Sequence, residues 1–309
     1  MKVIVIAGAT ASGKSAAAAA LARKLDGEVV SADSMQVYRH MDIGTAKPTC
    51  DEMQGIPHHL LDVVNPCEPF SAARYRELAE DAIRDIHNRG KTPILAGGTG
   101  FYINAVLYGV EFSDVAHKEE SELRQRFTGL AHEKGAEYLH GLLCEKDPEY
   151  AAGVHPNNIK RVARALAYNE STGRRFSDYN AAQKANRLLF DTSYCVLTMN
   201  RDILYSRIND RTIAMFRAGL EDEVRGLLNN YHEGLAAMQG IGYKETVKLI
   251  KGEYTLPEAI SAIQQSTRNY AKRQETWFRH QASAAQMLNA EGKTPSEIAK
   301  EISRRIYVL

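Results

Sequence analysis

Short apolar segments alternate with helix-forming segments through the first hundred residues of the chain. Residues 3–7 form an unbroken apolar run, which is typical of a strand buried on both faces of a parallel sheet. Residues 28–31 and 92–96 are two further predicted strands. The alanine-rich residues 15–25 and the amphipathic residues 74–89 predict helices between them. This alternation predicts an α/β fold with a parallel sheet.

Beyond about residue 113 the apolar positions follow the spacing of helices instead. Residues three, four and seven positions apart lie on one face of a helix, so a repeated apolar residue at these intervals predicts an amphipathic helix. We therefore predict that residues 113–188 form a helical insertion domain. Two sets with this spacing are Leu123, Phe127 and Leu130, and Ile159, Val162 and Leu166.

The rest of the chain is predicted to form the α/β core, from residues 1–112 and 189–309. Residues 194–199 are its last predicted strand, and from Arg201 onward the chain is predicted to be helical. Capping boxes mark two helix starts, at Thr255 with Glu258 and at Thr294 with Glu297.

The composition is that of an ordinary globular chain. Hydrophobic residues make up 44% and charged residues 25% of the 309 residues, which excludes the disordered, collagenous and coiled-coil classes. The formal net charge is +1, so only local clusters of charge bear on nucleic-acid binding. The four cysteines form no C-x-x-C pair, and no segment resembles an export signal or a membrane span. We expect a cytoplasmic monomer without a membrane partner.

Residues 8–15, with the sequence GATASGKS, match the phosphate-loop pattern G-x-x-x-x-G-K-[ST]. A predicted strand precedes them and a predicted helix follows, which is the context that such a loop requires. Its backbone N–H groups and the positive end of the helix dipole favour a polyphosphate, with Lys14 on phosphate oxygens and the Ser15 hydroxyl on Mg²⁺. The alternative is a glycine-rich turn without a ligand. The predicted phosphate-binding residues are Gly8, Ala9, Thr10, Ala11, Ser12, Gly13, Lys14 and Ser15.

Eight further segments follow this loop in order. They are DSMQVY (33–38), MDIGTAKP (41–48), GIPHHLLD (55–62), GGTGFY (97–102), HPNN (155–158), RINDR (207–211), GIGYK (240–244) and KRQETWFR (272–279). Together they resemble the bacterial tRNA dimethylallyltransferases, also called tRNA isopentenyltransferases, over nearly the whole chain. The resemblance implies a P-loop NTPase-like core with a helical insertion. It also implies transfer of a dimethylallyl group from dimethylallyl diphosphate to N6 of the adenosine beside a tRNA anticodon, with release of diphosphate.

The resemblance assigns three catalytic residues, and each has an alternative. Asp33 matches the carboxylate that takes the N6 proton, but it could instead be a Mg²⁺ ligand. Thr99 matches a residue that contacts the target base, but it could simply cap the helix that follows it. Arg211 matches the arginine that stabilises the leaving diphosphate, but both it and Arg207 could be solvated surface charges.

The anticodon stem-loop is the implied partner, and local charge supports it. Residues 157–175 carry a net charge of +4 and residues 268–279 one of +3, which suits contacts with phosphates. An adenosine stacked in a loop must also be drawn out of its stack to reach a buried base. The residues that the resemblance assigns to tRNA binding are Asp33, Ser34, Met35, Gln36, Thr99, Arg124, Lys160, Arg161, Val162, Ala163, Arg164, Gly240, Ile241, Gly242, Tyr243, Lys244, Lys272, Arg273 and Arg279.

Small departures from the family pattern leave the implied chemistry intact. Ala9 stands where the family usually has proline and Ser15 where it usually has threonine. Asn158 replaces a usual aspartate, which puts a charge role there in doubt. The pair His58 and His59 is expected to be structural rather than metal-binding, because no partner ligand is suitably spaced.

Three other functions use the same features. A nucleotide or small-molecule kinase would need the phosphate loop but not the basic helices. A non-catalytic RNA-binding module would not need Asp33 or Thr99. An enzyme that prenylates free adenine nucleotides would not need the basic stretches. Trp277 is expected to belong to the core rather than to stack on a base.

Overall fold

The computed structural model describes residues 1–109, 117–184 and 187–306. The chain divides into two compact units, one of Met1–Leu107 with Leu188–Leu309 and the other of Tyr108–Arg187. The boundary predicted at residues 112–113 lies outside the described residues.

The first unit contains a six-stranded sheet among its described residues, and every neighbouring pair of strands is parallel. The strands are β1 (Lys2–Gly8), β2 (Gly27–Ser31), β3 (His58–His59), β4 (Thr92–Gly97), β5 (Asp191–Thr198) and β6 (Gln286–Asn289). They lie in the order β3-β2-β4-β1-β5-β6. The predicted α/β fold with a parallel sheet is confirmed.

In the first unit, helices follow most of the strands of this sheet. In chain order the first four are α1 (Lys14–Leu25), α2 (Cys50–Met53), α3 (Ala72–Asn88) and α4 (Gly100–Leu107). The second unit supplies α5 (His117–Lys134), α6 (Ala136–Lys146), α7 (Pro148–Ala151), α8 (Ile159–Thr172) and α9 (Phe176–Lys184). The first unit then continues with α10 (Arg201–Arg217), α11 (Leu220–Leu228), α12 (Tyr243–Ile250), α13 (Leu256–Gln281) and α14 (Pro295–Ile306).

The alanines of α1 explain how this helix packs on the sheet. Ala17, Ala18 and Leu21 are fully buried in one cluster with Ile4 and Ile6 of β1. Small side chains allow the helix axis to approach the strands closely, and burial of these apolar surfaces stabilises the pair. This packing fixes the direction in which α1 leaves the loop that precedes it.

Two strands were not predicted, and both are short. β6 lies in the part of the chain predicted to be wholly helical from Arg201 onward, so that prediction is wrong for residues 286–289. Only Leu288 of its four residues is buried, and a short edge strand with one buried position has no detectable alternation of apolar and polar residues. The two-residue β3 is likewise too short for such a pattern.

The second unit is helical throughout its described residues. Its hydrophobic core includes Phe127 of α5, Leu143 of α6 and Leu166 of α8. Buried Asp147 joins two helix starts, since its carboxylate accepts the N–H groups of Tyr150 (3.1 Å) and Ser177 (2.8 Å). Among the described helices of the whole chain, none is both long and apolar enough to cross a membrane.

Candidate active site

The carboxyl ends of β1, β2 and β4 lie at one edge of the sheet, where open α/β sheets bind their ligands. The loop after β1 is the predicted phosphate loop. Gly13 adopts a φ of +88°, a left-handed conformation that favours glycine, and it immediately precedes α1. Gly13 has no side chain to cap this helix, so the first-turn N–H groups of α1 face the loop. The local backbone is therefore suited to an anion at the helix N-terminus.

Lys14 is folded into this loop. Its Nζ donates to the carbonyl of Ala9 at 3.2 Å. Burial lowers the pKa of Lys14 to about 8, while nearby Asp33 raises it and Arg211 lowers it. The ammonium group thus lies in a desolvated position, where its attraction for an anion is stronger than in water.

Arg211 of α10 reaches the same loop. Its Nη2 donates to Thr10 Oγ1 at 3.2 Å, and burial lowers the pKa of its guanidinium. Arg207, one helical turn earlier, is exposed. Of the two arginines for which a solvated surface position was an alternative, the structure places only Arg211 beside the phosphate loop.

Asp33 and Thr99 follow β2 and β4, and a network of hydrogen bonds joins their loops. Asp33 Oδ1 accepts the N–H of Met35 at 2.9 Å, and Thr99 Oγ1 accepts the N–H of Ser34 at 3.1 Å. A Cβ at Gly97 would lie 2.1 Å from the carbonyl oxygen of Ala32, so only glycine allows the two strand ends to approach this closely. The Thr99 hydroxyl therefore bonds across the strand ends to Ser34.

Helix α13 crosses this edge of the sheet and holds the loops together. Buried Gln274 accepts the N–H of Thr10 through Oε1 at 2.9 Å and donates from Nε2 to the carbonyl of Gly98 at 2.9 Å. Burial raises the pKa of Tyr270 to about 12, and the hydroxyl of Tyr270 lies near the side chains of Thr99 and Gln274, which lower that pKa. Gln274 and Tyr270 were missed as functional residues, although their i, i+4 spacing beside Lys272 and Arg273 is a signal that could have identified them.

Most of these groups line a cavity with a volume of about 300 Å³. Its polar end contains Thr10, Lys14, Ser15, Asp33 and Arg211. Away from the phosphate loop its walls are mostly apolar or backbone. They include Met35, Gly44, Thr45, Ala46, Ile208, Met215, Gly240, Ile241, Gly242, Tyr243 and Ile263, with the polar residues Ser34, Gln36, Thr212, Thr267, Tyr270 and Gln274 between them. A charged pocket that continues into an apolar one suits a ligand with a phosphate group and a hydrocarbon or ring portion.

Several residues assigned to tRNA binding lie around this cavity. Ser34, Met35, Gln36 and the segment from Gly240 to Tyr243 line it. Lys244, Lys272, Arg273 and Arg279 are exposed on the surface of the same unit. The structure thus brings the cavity-lining residues together, whereas the four basic residues lie at the surface.

The second unit carries the remaining predicted tRNA contacts. Lys160 and Arg161 are exposed on α8, and half-buried Arg164 lies over the ring of Phe176 with 5.5 Å between Cζ and the ring centre. Arg124 is half-buried on α5. Two further residues of α8 that the resemblance assigns to tRNA binding, Val162 and Ala163, have side chains buried in the core of the unit.

The two histidines and the tryptophan each have contacts within the protein. His59 Nε2 bonds to the Glu28 carboxylate at 2.7 Å and His58 Nδ1 to the carbonyl of Ile56 at 2.9 Å. Among the described residues, no group of three or more His, Cys, Asp or Glu side chains is placed to hold a metal ion. Half-buried Trp277 packs on Gly100, where a Cβ would lie 2.1 Å from the indole ring.

Comparisons with known proteins agree on one family. A sequence profile described as IPP transferase matches residues 36–281. A tRNA dimethylallyltransferase of Bacillus cytotoxicus is 46% identical over 307 residues, covering 99% of this chain and 96% of that protein. One of Geobacillus thermodenitrificans is 49% identical over 280 residues, covering 91% and 88%.

Solved structures give the same result. A tRNA isopentenylpyrophosphate transferase of Bacillus halodurans superposes with a TM-score of 0.74 at 40% identity, covering 99% of this chain and 96% of that one. A eukaryotic dimethylallyltransferase acting on tRNA superposes with a TM-score of 0.82 at 31% identity, covering 99% of this chain and 77% of that one.

Proposed function

The chain belongs to the IPP transferase family of tRNA dimethylallyltransferases, and from this premise we propose how its cavity performs the reaction. The substrates are dimethylallyl diphosphate and the adenosine beside the anticodon of a tRNA. N6 of the adenosine attacks C1 of the allylic group, the C1–O bond breaks, and diphosphate leaves with the bonding electron pair. The N6 proton passes to a base on the enzyme.

The phosphate loop is proposed to bind the diphosphate. The first-turn N–H groups of α1, the Lys14 ammonium and the Arg211 guanidinium all lie at the polar end of the cavity. Negative charge builds up on the leaving oxygen in the transition state, so fixed positive charges there lower the barrier. Lys14 and Arg211 supply this stabilisation in a position that excludes most water.

The residues present fit a magnesium ion that accompanies the diphosphate. The Ser15 hydroxyl lies beside Lys14 in the cavity, and the Asp33 carboxylate is another nearby oxygen donor. Mg²⁺ typically takes one or two protein oxygens and completes its shell with substrate phosphates and water, so a dense set of protein ligands is not required. When bound, the ion would neutralise charge on the diphosphate.

Asp33 is proposed as the base. The lone pair of the N6 amine is delocalised into the purine, so the amine gains nucleophilicity as its proton is removed. One oxygen of the Asp33 carboxylate accepts the Met35 N–H, which fixes its orientation in the cavity wall. Thr99, which is bonded to Ser34, is proposed to contact the same base from the adjacent strand end.

The tRNA is proposed to be held mainly through its backbone. The exposed basic residues of α8 and α13 contact phosphates, and the residues around the cavity contact the extruded adenosine. We further propose that the enzyme acts as a monomer in the cytoplasm.

One observation carries this proposal: the phosphate loop, Asp33 and Arg211 line one cavity that continues into mostly apolar walls, and Thr99 is bonded to Ser34 in the wall of that cavity. The test is incubation with dimethylallyl diphosphate, Mg²⁺ and tRNA, followed by nucleoside digestion and mass spectrometry. We expect prenylated adenosine from tRNA. Prenylated AMP without prenylated tRNA would instead indicate an enzyme for free nucleotides, and ATP-dependent phosphoryl transfer would indicate a kinase.

A further inference from the structure

We propose that Glu223 is a positioning residue, which holds the cavity wall that receives the adenine ring. This inference rests on the proposed function and concerns a residue outside all of the motifs considered above. Glu223 lies on α11, far along the chain from the phosphate loop, and acts through its neighbours rather than on a substrate.

The carboxylate of Glu223 binds three consecutive backbone N–H groups of one loop. Its Oε2 accepts from Asp42 at 3.0 Å and from Ile43 at 2.7 Å, and its Oε1 accepts from Gly44 at 3.2 Å. Hydrogen bonds to an ionised carboxylate are stronger than those between neutral groups, so this arrangement fixes the loop firmly. We call residues 42–46 the wall loop, because Gly44, Thr45 and Ala46 line the cavity.

Tyr243 completes the arrangement on the other side of the carboxylate. Its hydroxyl donates to Glu223 Oε1 at 2.7 Å, and the side chain is fully buried. A Cβ at Gly44 would lie 2.5 Å from Cζ of this ring, so the wall loop rests directly on it. Glu223 therefore joins two parts of the cavity wall, the wall loop and the start of α12.

A second side chain holds the wall loop from the direction of β2. Gln36 donates from Nε2 to the carbonyls of Thr45 (3.3 Å) and Ala46 (3.1 Å). Its Oε1 in turn accepts from the hydroxyl of Ser31 at 3.2 Å. Without Glu223 the loop would keep this attachment and the ion pair of Asp42 with Lys47, but its three consecutive N–H groups would lose their acceptor.

Helix α13 shows which part of the cavity this wall closes. Ile263, Thr267, Tyr270 and Gln274 all line the cavity from one helical face. Gln274 touches the phosphate loop, whereas Ile263 packs in one cluster with Tyr243. These two residues are eleven positions apart, which is about 16 Å along a helix. The wall held by Glu223 is therefore at the end of the cavity remote from the phosphate loop.

The geometry of the reaction assigns the adenine to this end. A nucleophile attacks an allylic carbon from the side opposite the leaving group, so diphosphate, C1 and N6 lie roughly in line. With diphosphate on the phosphate loop, the purine ring extends away from it, towards the remote wall. A displaced wall would leave the donor bound but would let the purine move out of line.

The test compares Glu223→Ala and Glu223→Gln with wild type in two separate measurements. The first is calorimetric binding of dimethylallyl S-thiolodiphosphate, an unreactive donor analogue. The second is steady-state kinetics with saturating donor and varied tRNA. For Glu223→Ala we expect analogue affinity within about twofold of wild type, and kcat/KM for tRNA lowered about tenfold or more, because small misplacements of reacting atoms are costly. Glu223→Gln keeps one acceptor oxygen, so its kcat/KM for tRNA should lie between those of wild type and Glu223→Ala.

Two further variants keep the inference testable if Glu223→Ala does not fold. Tyr243→Phe removes only the hydroxyl bond and should lower kcat/KM for tRNA by a smaller factor in the same direction. Glu221→Ala is the matched control. Glu221 lies on the same helix and pairs with Arg225 on the surface, so this variant should match wild type.

The outcomes separate the two proposals. If wild type forms no prenylated adenosine in tRNA, the proposed function fails, and this inference fails with it. If wild type is active, unchanged tRNA kinetics in both Glu223 variants, or an equal loss of analogue affinity and of kcat/KM, would overturn the positioning role alone.

Discussion

At the scale of single residues, burial in the active site makes the charge of Lys14 depend on pH in an accessible range. Burial lowers its pKa to about 8, so its ammonium form is complete only below that pH. Relative to the Lys14→Arg variant, we expect the affinity for inorganic diphosphate to be constant up to about pH 8 and then to fall, by up to about tenfold per pH unit. Calorimetric titration from pH 6 to pH 10 measures this.

Lys14→Arg provides the control for this pH profile. A guanidinium stays protonated throughout the range, so any fall in affinity that it shares with wild type comes from other groups. A wild-type profile that parallels the Lys14→Arg profile would contradict the role assigned to the Lys14 ammonium.

Substitution of Asp33, the proposed base, is expected to lower the rate of the chemical step. Asp33→Asn keeps the shape of the side chain but cannot accept the N6 proton, so single-turnover rates should fall by about 10² or more. Affinity for tRNA should change little. Asp51→Asn, an exposed carboxylate at the start of α2, is the control and should leave the rate unchanged.

The same experiment tests the alternative role of Asp33 as a magnesium ligand. If raising the Mg²⁺ concentration restores the rate of Asp33→Asn, the carboxylate acts as a ligand rather than a base. A rate near that of wild type at every Mg²⁺ concentration would exclude both roles.

At the scale of elements, β2 depends on an ionic network at the end remote from the active site. Glu28 is buried, and its carboxylate pairs with Arg89 at 2.5 Å, His59 at 2.7 Å and Lys91 at 3.2 Å. Hydrogen bonding from Arg89 is the main cause that lowers the pKa of Glu28 to about 2. The network joins β2 to β3 and to the end of α3.

We expect Glu28→Gln to lower the free energy of unfolding at pH 7 by about 3 kcal/mol, the scale for removing one partner of a buried ion pair. The folded-state pKa lies below the ordinary 4.5, so this contribution is complete above about pH 4.5 and is lost as the pH falls towards 2. Urea unfolding followed by circular dichroism at pH 7 and pH 3 measures both effects.

Asp81→Asn is the matched control for this element. Asp81 is exposed on α3 and pairs with Arg84 at 3.5 Å, so its loss should change stability by less than about 1 kcal/mol. Equal destabilisation by Glu28→Gln at pH 7 and pH 3 would show that charge is not what the network contributes.

At the scale of the whole molecule, the exposed basic residues determine how tRNA binding responds to salt. The logarithm of affinity falls with the logarithm of salt concentration by roughly 0.7 to 0.9 per phosphate contact. Replacing both Lys160 and Arg161 with alanine should therefore flatten this slope by about one to two. The maximal rate at saturating tRNA should stay within a few-fold. Filter binding over a range of KCl concentrations measures the slope.

Arg164 is left out of this variant because its guanidinium packs over Phe176, and its loss would disturb the core of the second unit as well as the charge. Lys146→Ala, an exposed lysine of α6, is the control for a change of charge outside the proposed contact. An unchanged salt slope, or a lost maximal rate at unchanged affinity, would remove Lys160 and Arg161 from the phosphate contacts.

The sequence by itself determined the features that depend on neighbouring residues. The apolar runs gave β1, β2, β4 and most of β5, and the pattern of residues 8–15 gave the phosphate loop in its strand–loop–helix context. Strand burial, helix periodicity and loop conformation are local properties, so they can be recognised in a short window of sequence. The family resemblance, which extends along the chain, was confirmed by the comparisons with known proteins.

Only the tertiary structure decided which distant residues meet. Gln274 contacts Thr10, and Glu223 contacts Gly44, because helices α13 and α11 pack across loops that come much earlier in the chain. Their interactions depend on the packing of elements, which no local pattern encodes. Val162 is a residue for which the local pattern was sufficient: its i, i+3 spacing with Ile159 indicated a buried face, and its side chain is buried in the core of the second unit. Burial followed the helical period, because transferring apolar side chains from water stabilises the fold whatever motif they belong to.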